Sequence, residues 1–184
     1  MEKIKKSIKD KYHLSNYQIA QLCFLVKTLF SELSKIIIMG MLFHNHLPAY
    51  FFSLFAMLFL RCSTGGLHFY TYAGCLMMSI LYITLSILVL PNISLPVYMQ
   101  LFLLLICMIL CYSIGPVVSK YRPTPSSQLF VRGRNFTCTF IFIYALALYI
   151  IPANHLMTVG FWTIILHSLQ LIAAKIHQKG GTVK

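Results

Sequence analysis

Apolar residues run through this chain in six blocks separated by short polar or proline-bearing breaks. The blocks are Leu22 to Phe43, Pro48 to Leu60, Tyr70 to just before Pro91, Val97 to Val118, Phe136 to Ile151, and Leu156 to Ala174. A membrane helix needs about 20 apolar residues, fewer where the bilayer thins. Each block therefore predicts a transmembrane helix, with the second and fifth short. The breaks carry turn formers: His44-Asn45-His46-Leu47-Pro48, Pro91-Asn92-Ile93-Ser94-Leu95-Pro96 and Pro152-Ala153-Asn154-His155.

Ahead of the blocks, Ile4, Ile8, Tyr12 and Ile19 recur at roughly helical spacing among lysines. That pattern predicts an amphipathic helix over residues 1–20, lying on an anionic membrane surface. No short apolar run with a small-residue cleavage site follows it, so no signal peptide is expected. The expected fold is an all-α integral membrane protein of about six transmembrane helices plus the N-terminal amphipathic helix. It is read as one domain over 1–184, with the bundle at 22–174 and a cytoplasmic tail at 175–184.

Composition supports this. The chain is 59% hydrophobic and 10% charged, with mean hydropathy +0.79, whereas a soluble domain carries about 25% charged residues. The net charge of +12 could point to nucleic acid, but the basic residues flank the apolar blocks. Lys3, Lys5, Lys6, Lys9 and Lys11 precede the first, and Arg61 follows the second. Lys120, Arg122, Arg132 and Arg134 separate the fourth from the fifth, and Lys175, Lys179 and Lys184 follow the sixth. The other three connections have none. The positive-inside rule explains this distribution with no nucleic-acid partner, and it predicts a multi-pass protein with both termini cytoplasmic.

Lys27, Lys35 and Glu32 lie inside the first block, where ionisable groups are costly and functional or paired. Glu32 and Lys35, at i and i+3, can meet on one helical face. They form either a structural ion pair or a functional group, with Glu32 facing a cavity behind Arg61 and His68. The six cysteines, Cys23, Cys62, Cys75, Cys107, Cys111 and Cys138, are read as thiols rather than a disulfide framework. Most serve as small core hydrophobes. His44, His46 and His155 fall in connections and are expected in solvent. His167 lies within the sixth block, packed with a backbone partner or lent to a site.

One stretch departs from the apolar pattern. Arg61 to Cys75 reads RCSTGGLHFYTYAGC. Gly65-Gly66 breaks a helix and permits a tight turn. His68 and Cys75 would stand about 10 Å apart along one straight helix, whereas a thiol and an activating imidazole must be in hydrogen-bond contact, about 3 Å. A broken or re-entrant segment around 61–72, with a helix beginning near Tyr72 to Gly74, would let them meet. Cys75 would then sit in the first turn, where helix N–H groups favour negative charge. The alternative is that both are packing residues. A metal held by Cys62, His68 and Cys75 fits poorly, because the spacings are not zinc-like and no fourth ligand is near. No metal or cofactor is expected.

The pattern Arg61-x3-Gly65-Gly66-x-His68-x6-Cys75 resembles the signature of the accessory gene regulator B family, membrane-embedded cysteine endopeptidases of Gram-positive quorum sensing. Length, number of spans and the basic amphipathic start are similar over nearly the whole chain. Gly115-Pro116-Val117-Val118 resembles the segment after the family's fourth span. Two details differ: Phe69-Tyr70-Thr71 is bulkier than expected, and the basic residues between Ser119 and Asn135 are spread out rather than clustered.

The resemblance implies that Cys75 is the nucleophile and His68 its general base. Arg61, Gly65 and Gly66 would shape the site, and Glu32 is a less specific transfer. It further implies cleavage of an AgrD-like precursor signal peptide near its C-terminus, through an acyl-thioester. Closure of a thiolactone or lactone ring would follow, in a homodimer in the bacterial cell membrane. Lys120 and Arg122 would steer an acidic precursor tail, or are ordinary topology determinants. Two other function classes remain. A small transporter or channel would need Glu32 and Lys35 but not Cys75, and a non-catalytic scaffold would need neither His68 nor Cys75 to react.

Overall fold

A computed structural model describes residues 30–66, 71–117, 127–151 and 154–180. The expected amphipathic helix at 1–20, Cys23, the start of the first span, His68, Lys120 and Arg122 lie outside the described residues. The chain divides into two compact units, Met1–His44 and Asn45–Lys184. In the first, residues 30–42 form helix α1. Lys35 donates from Nζ to Glu32 Oε1 at 2.6 Å, one turn apart.

The second unit contains helices α2 (Leu47–Thr64), α3 (Tyr72–Thr84), α4 (Val97–Ile114), α5 (Ser127–Ile150) and α6 (His155–Gly180). Pro48 is tolerated in the first turn of α2 because the N–H it lacks would be unpaired there. A π-helical turn, Leu85–Val89, extends α3, and a 3-10 turn, Leu90–Asn92, ends it at Pro91. Gly115, at φ 65°, stops α4 ahead of Pro116. The Asn154 side chain caps α6 by accepting the Leu156 N–H at 2.9 Å. Among the described residues, five helices are long and apolar enough to cross a membrane: His44–Thr64, Tyr72–Asn92, Val97–Ile114, Phe130–Ile150 and His155–His177. No strand lies among them. The all-α membrane architecture expected from the blocks is thus observed.

Several boundaries move. α2 does not stop at Leu60 but continues through Thr64, taking Arg61 and Cys62 into its last turn. Ser63 and Thr64 donate their hydroxyls back to the Phe59 and Leu60 carbonyls at 3.1 and 2.8 Å, which pairs these polar side chains within their own helix. The break expected over 61–72 therefore starts only at Gly65. α5 begins at Ser127 rather than Phe136, because its first turns are polar yet helical. α6 runs on to Gly180, so the first part of the expected tail at 175–184 is helix.

The core gathers Leu60, Leu104, Cys107, Cys111, Ile141, Tyr144, Leu148, Phe161, Ile164 and Leu171. α6 sits at its centre, packed on α2 and α4, while α4 also packs on α5. Small residues allow close approach of membrane helices: a Cβ on Gly160 would stand 2.6 Å from Phe52 Cε1. The Tyr144 hydroxyl donates to the Met157 carbonyl. A buried hydroxyl cluster joins three elements. Ser53 Oγ lies 2.8 Å from Thr163 Oγ1 and 3.0 Å from Ser86 Oγ. Tyr82 donates to the Thr163 carbonyl at 2.6 Å. Large side chains such as Phe51, Phe55, Phe102, Ile109, Phe142 and Ile143 point outward, as the hydrocarbon interior of a bilayer requires.

Candidate active site

The end of α2 is tied to the end of α4. The Val117 N–H donates to the Thr64 carbonyl at 2.8 Å, and Gly65 pairs with Val117 in an isolated parallel bridge. Gly65 adopts φ 75°, ψ −145°, a region open essentially to glycine alone. A Cβ there would run into the Val117 carbonyl oxygen. Gly66 follows at φ 158°. A Cβ on it would lie 3.3 Å from Arg61 Nε and 4.0 Å from Gln170 Oε1. The Arg61 side chain thus folds back over the elbow, with Gln170 of α6 beside it.

The same end of the bundle holds the start of α5. A Cβ on Gly133 would come within 2.7 Å of the Ser63 carbonyl, and one on Gly115 within 2.6 Å of Arg134 Nε. The Arg134 guanidinium lies 4.8 Å from the Phe130 ring centre and 5.5 Å from that of Tyr112. Below the elbow, Thr64 Oγ1 stands 2.8 Å from His167 Nε2. The single Thr64 hydroxyl proton goes to the Leu60 carbonyl. Thr64 therefore accepts from His167, whose proton is on Nε2.

Cys75 is half-buried in the first turn of α3, a helix that starts at Tyr72, within the expected range. Thr71 caps this helix: its hydroxyl accepts the Gly74 N–H at 3.2 Å, and its carbonyl accepts the Cys75 N–H at 3.1 Å. Two donors beside the thiol are therefore already engaged within the cap. The described cysteines form no disulfide.

The structure thus brings Arg61, Gly65 and Gly66 together. The connection 67–70, which contains His68, leads from them to the helix of Cys75. Glu32 belongs to the first unit and is paired there with Lys35; its side chain is 56% exposed. An open groove of about 660 Å³ follows α5, lined by Gln128, Arg132, Asn135, Phe136 and Thr139 among others. No group of three or more His, Cys, Asp or Glu gathers to hold a metal among the described residues.

Sequence reasoning gave no structural role to Thr64, Thr71, Val117 or Gln170. Thr71 had a legible signal, a cap-forming residue one position before an apolar helix. Gln170 lies three residues after His167, so two polar side chains share a face in an apolar span. Val117 carries no local signal, since its bond to Thr64 joins distant segments. The buried His167 has a partner of a different kind from the backbone group expected, the hydroxyl of Thr64.

Comparison with known proteins adds to this geometry. A model of the accessory gene regulator B family matches residues 1–171. A protein of Clostridium beijerinckii described as AgrB-like is 30% identical over 115 residues, which is 60% of this chain and 57% of that relative. The chain's match thus spans little more than half of the curated relative. No solved structure matches.

Proposed function

The chain belongs to the accessory gene regulator B family, and from that premise we propose that it is a membrane cysteine endopeptidase that cleaves a quorum-sensing precursor peptide. Membership supports involvement in the accessory gene regulator quorum-sensing system, with a peptide precursor as substrate in a membrane setting. The observation that carries the finer reading is the position of Cys75. It lies in the first turn of a capped helix, one short connection away from an elbow that only glycine can form.

In this reading Cys75 Sγ attacks the carbonyl carbon of a peptide bond near the precursor's C-terminus. His68 takes the thiol proton and later delivers it to the leaving amine. An acyl-thioester on Cys75 remains, and a nucleophile within the peptide displaces it to close a thiolactone or lactone ring. Exclusion of water from a recessed site favours closure over hydrolysis. Because Gly74 and Cys75 already donate within the cap, we assign oxyanion stabilisation to the Ala73 N–H, which has no acceptor inside its own helix. Arg61 shapes the mouth, and Lys120 and Arg122 attract an acidic precursor tail. The groove along α5 offers it Arg132, Gln128 and Asn135. We further take the termini to be cytoplasmic, from the basic connections, and the working unit to be a homodimer.

The test is co-expression with a candidate precursor and mass spectrometry of the products. Cleavage lost in both Cys75→Ala and His68→Ala supports the reading. Cleavage lost only in Cys75→Ala removes His68 as base. Cleavage that survives Cys75→Ala refutes a cysteine mechanism.

A further inference from the structure

His167 is fully buried in the middle of α6. An imidazole taken out of water is costly unless its polar atoms are bonded. Nε2 is bonded to Thr64, but Nδ1 is buried and has no partner among the described residues. Leucine would fill similar space with no such penalty. The histidine therefore costs stability where it stands, and packing alone does not account for it.

Its one bond falls on a particular residue. Thr64 is the last residue of α2 and the one before the elbow. Its hydroxyl donates to Leu60 and accepts from His167, while its carbonyl accepts from Val117. Three bonds fix its side chain and its peptide plane, and hence the direction in which the chain enters Gly65-Gly66. Gln170, about one turn further along α6, lies beside Gly66, where an added Cβ would stand 4.0 Å from its Oε1. One face of α6 thus bonds to the residue before the elbow and lies alongside the elbow itself.

We propose that His167 is a positioning residue: through Thr64 it sets the Gly65-Gly66 elbow, and with it the departure of the chain toward Cys75. This rests on the cysteine-peptidase reading above. Nothing in it requires His167 to touch the substrate or to exchange a proton. What it supplies is a fixed N–H donor at Nε2.

The experiment uses the full-length protein in membranes with its precursor. Precursor cleavage is measured beside the alkylation rates of Cys75 and of the exposed Cys62, which serves as an internal reference. His167→Leu is expected to lower cleavage about tenfold or more and to slow Cys75 alkylation while leaving Cys62 unchanged. The melting temperature in detergent should stay within about 3 °C of the parent. His167→Gln, which can present an N–H near the place of Nε2, should recover most of the loss. Thr64→Val should reproduce the defect and Thr64→Ser should relieve it. The Thr64→Val/His167→Leu pair should be no worse than Thr64→Val alone, because the bond to His167 is already lost there. Should His167→Leu fail to fold, the Thr64 pair carries the same test. Parent-level cleavage and Cys75 alkylation in His167→Leu or Thr64→Val would overturn the proposal, as would fully additive losses. Cysteine chemistry itself is read separately from Cys75→Ala. If that variant cleaves, the peptidase reading falls and the positioning role with it; if it is inactive while His167→Leu is active, only the positioning role falls.

Discussion

The Val117 N–H donates to the Thr64 carbonyl at 2.8 Å, joining the segment after α4 to the residue that precedes the glycine elbow. Both segments carry the family resemblance, and in sequence they are far apart. The bond makes them one structural unit. The elbow's shape then depends on α4 as much as on α2, and the contacts of Gly133 and Gly115 bring α5 into the same assembly.

Gly65→Ala should be the most damaging small substitution at this end. Its φ of 75° costs a non-glycine residue about 1–3 kcal/mol, and the obstacle is a backbone carbonyl that cannot swing aside. Gly115, at φ 65°, carries the same backbone cost, but Gly115→Ala meets mainly the Arg134 and Phe130 side chains, which can move. We expect a larger fall in melting temperature and in cleavage for Gly65→Ala than for Gly115→Ala. Equal effects would mean that the bridge to Val117 is dispensable.

Thr71→Ala should remove the cap of α3 at a cost of about 1 kcal/mol. Thr71→Asp should keep the cap, because its carboxylate can accept the Gly74 N–H. Because the capped turn carries Cys75, Thr71→Ala should also slow alkylation of that thiol. Mass-spectrometric alkylation rates for the two variants check this; identical rates would separate the cap from the behaviour of Cys75.

Arg134 is held over Phe130 and Tyr112. Arg134→Met should lose about 0.5–2 kcal/mol of cation–π attraction. A double-mutant cycle of Arg134→Met with Phe130→Leu, read by detergent melting, should give positive coupling. Zero coupling would mean that the cation is only passing over the ring.

Ser53→Ala and Thr163→Val should each cost little, since hydrogen bonds between membrane helices average about 0.6 kcal/mol. Their losses should be less than additive, because the two hydroxyls bond each other. The double variant's melting temperature decides this.

The spans were legible because a bilayer demands long apolar helices, and those blocks stand out against Pro91, Pro96 and Pro152. Their ends were less so. Ser63 and Thr64 pair their hydroxyls within a turn that hydropathy would end at Leu60, and polar residues open α5 well before its apolar part. At the site, the helix start near Tyr72 could be read from Gly65-Gly66 and from the spacing of His68 and Cys75. The Thr64–Val117 and Thr64–His167 bonds could not, because each links residues that no local periodicity connects. The π-turn was equally hidden, since one extra residue in a continuous apolar run leaves no trace in composition.

That π-turn has an evolutionary corollary. In Leu85–Val89 the Leu90 N–H reaches back five residues to the Leu85 carbonyl, so the turn holds one residue more than an ordinary helical turn. Removing it would rotate the stretch from Leu90 onward by about 100° against the helix before it and turn Leu90–Asn92 off the face that packs on α6. The insertion and the packing of the 3-10 turn on α6 therefore depend on each other. Relatives one residue shorter in this helix should present other side chains to α6 after the turn, and an alignment of the lineage would show the positions after Val89 changing together with their partners on α6.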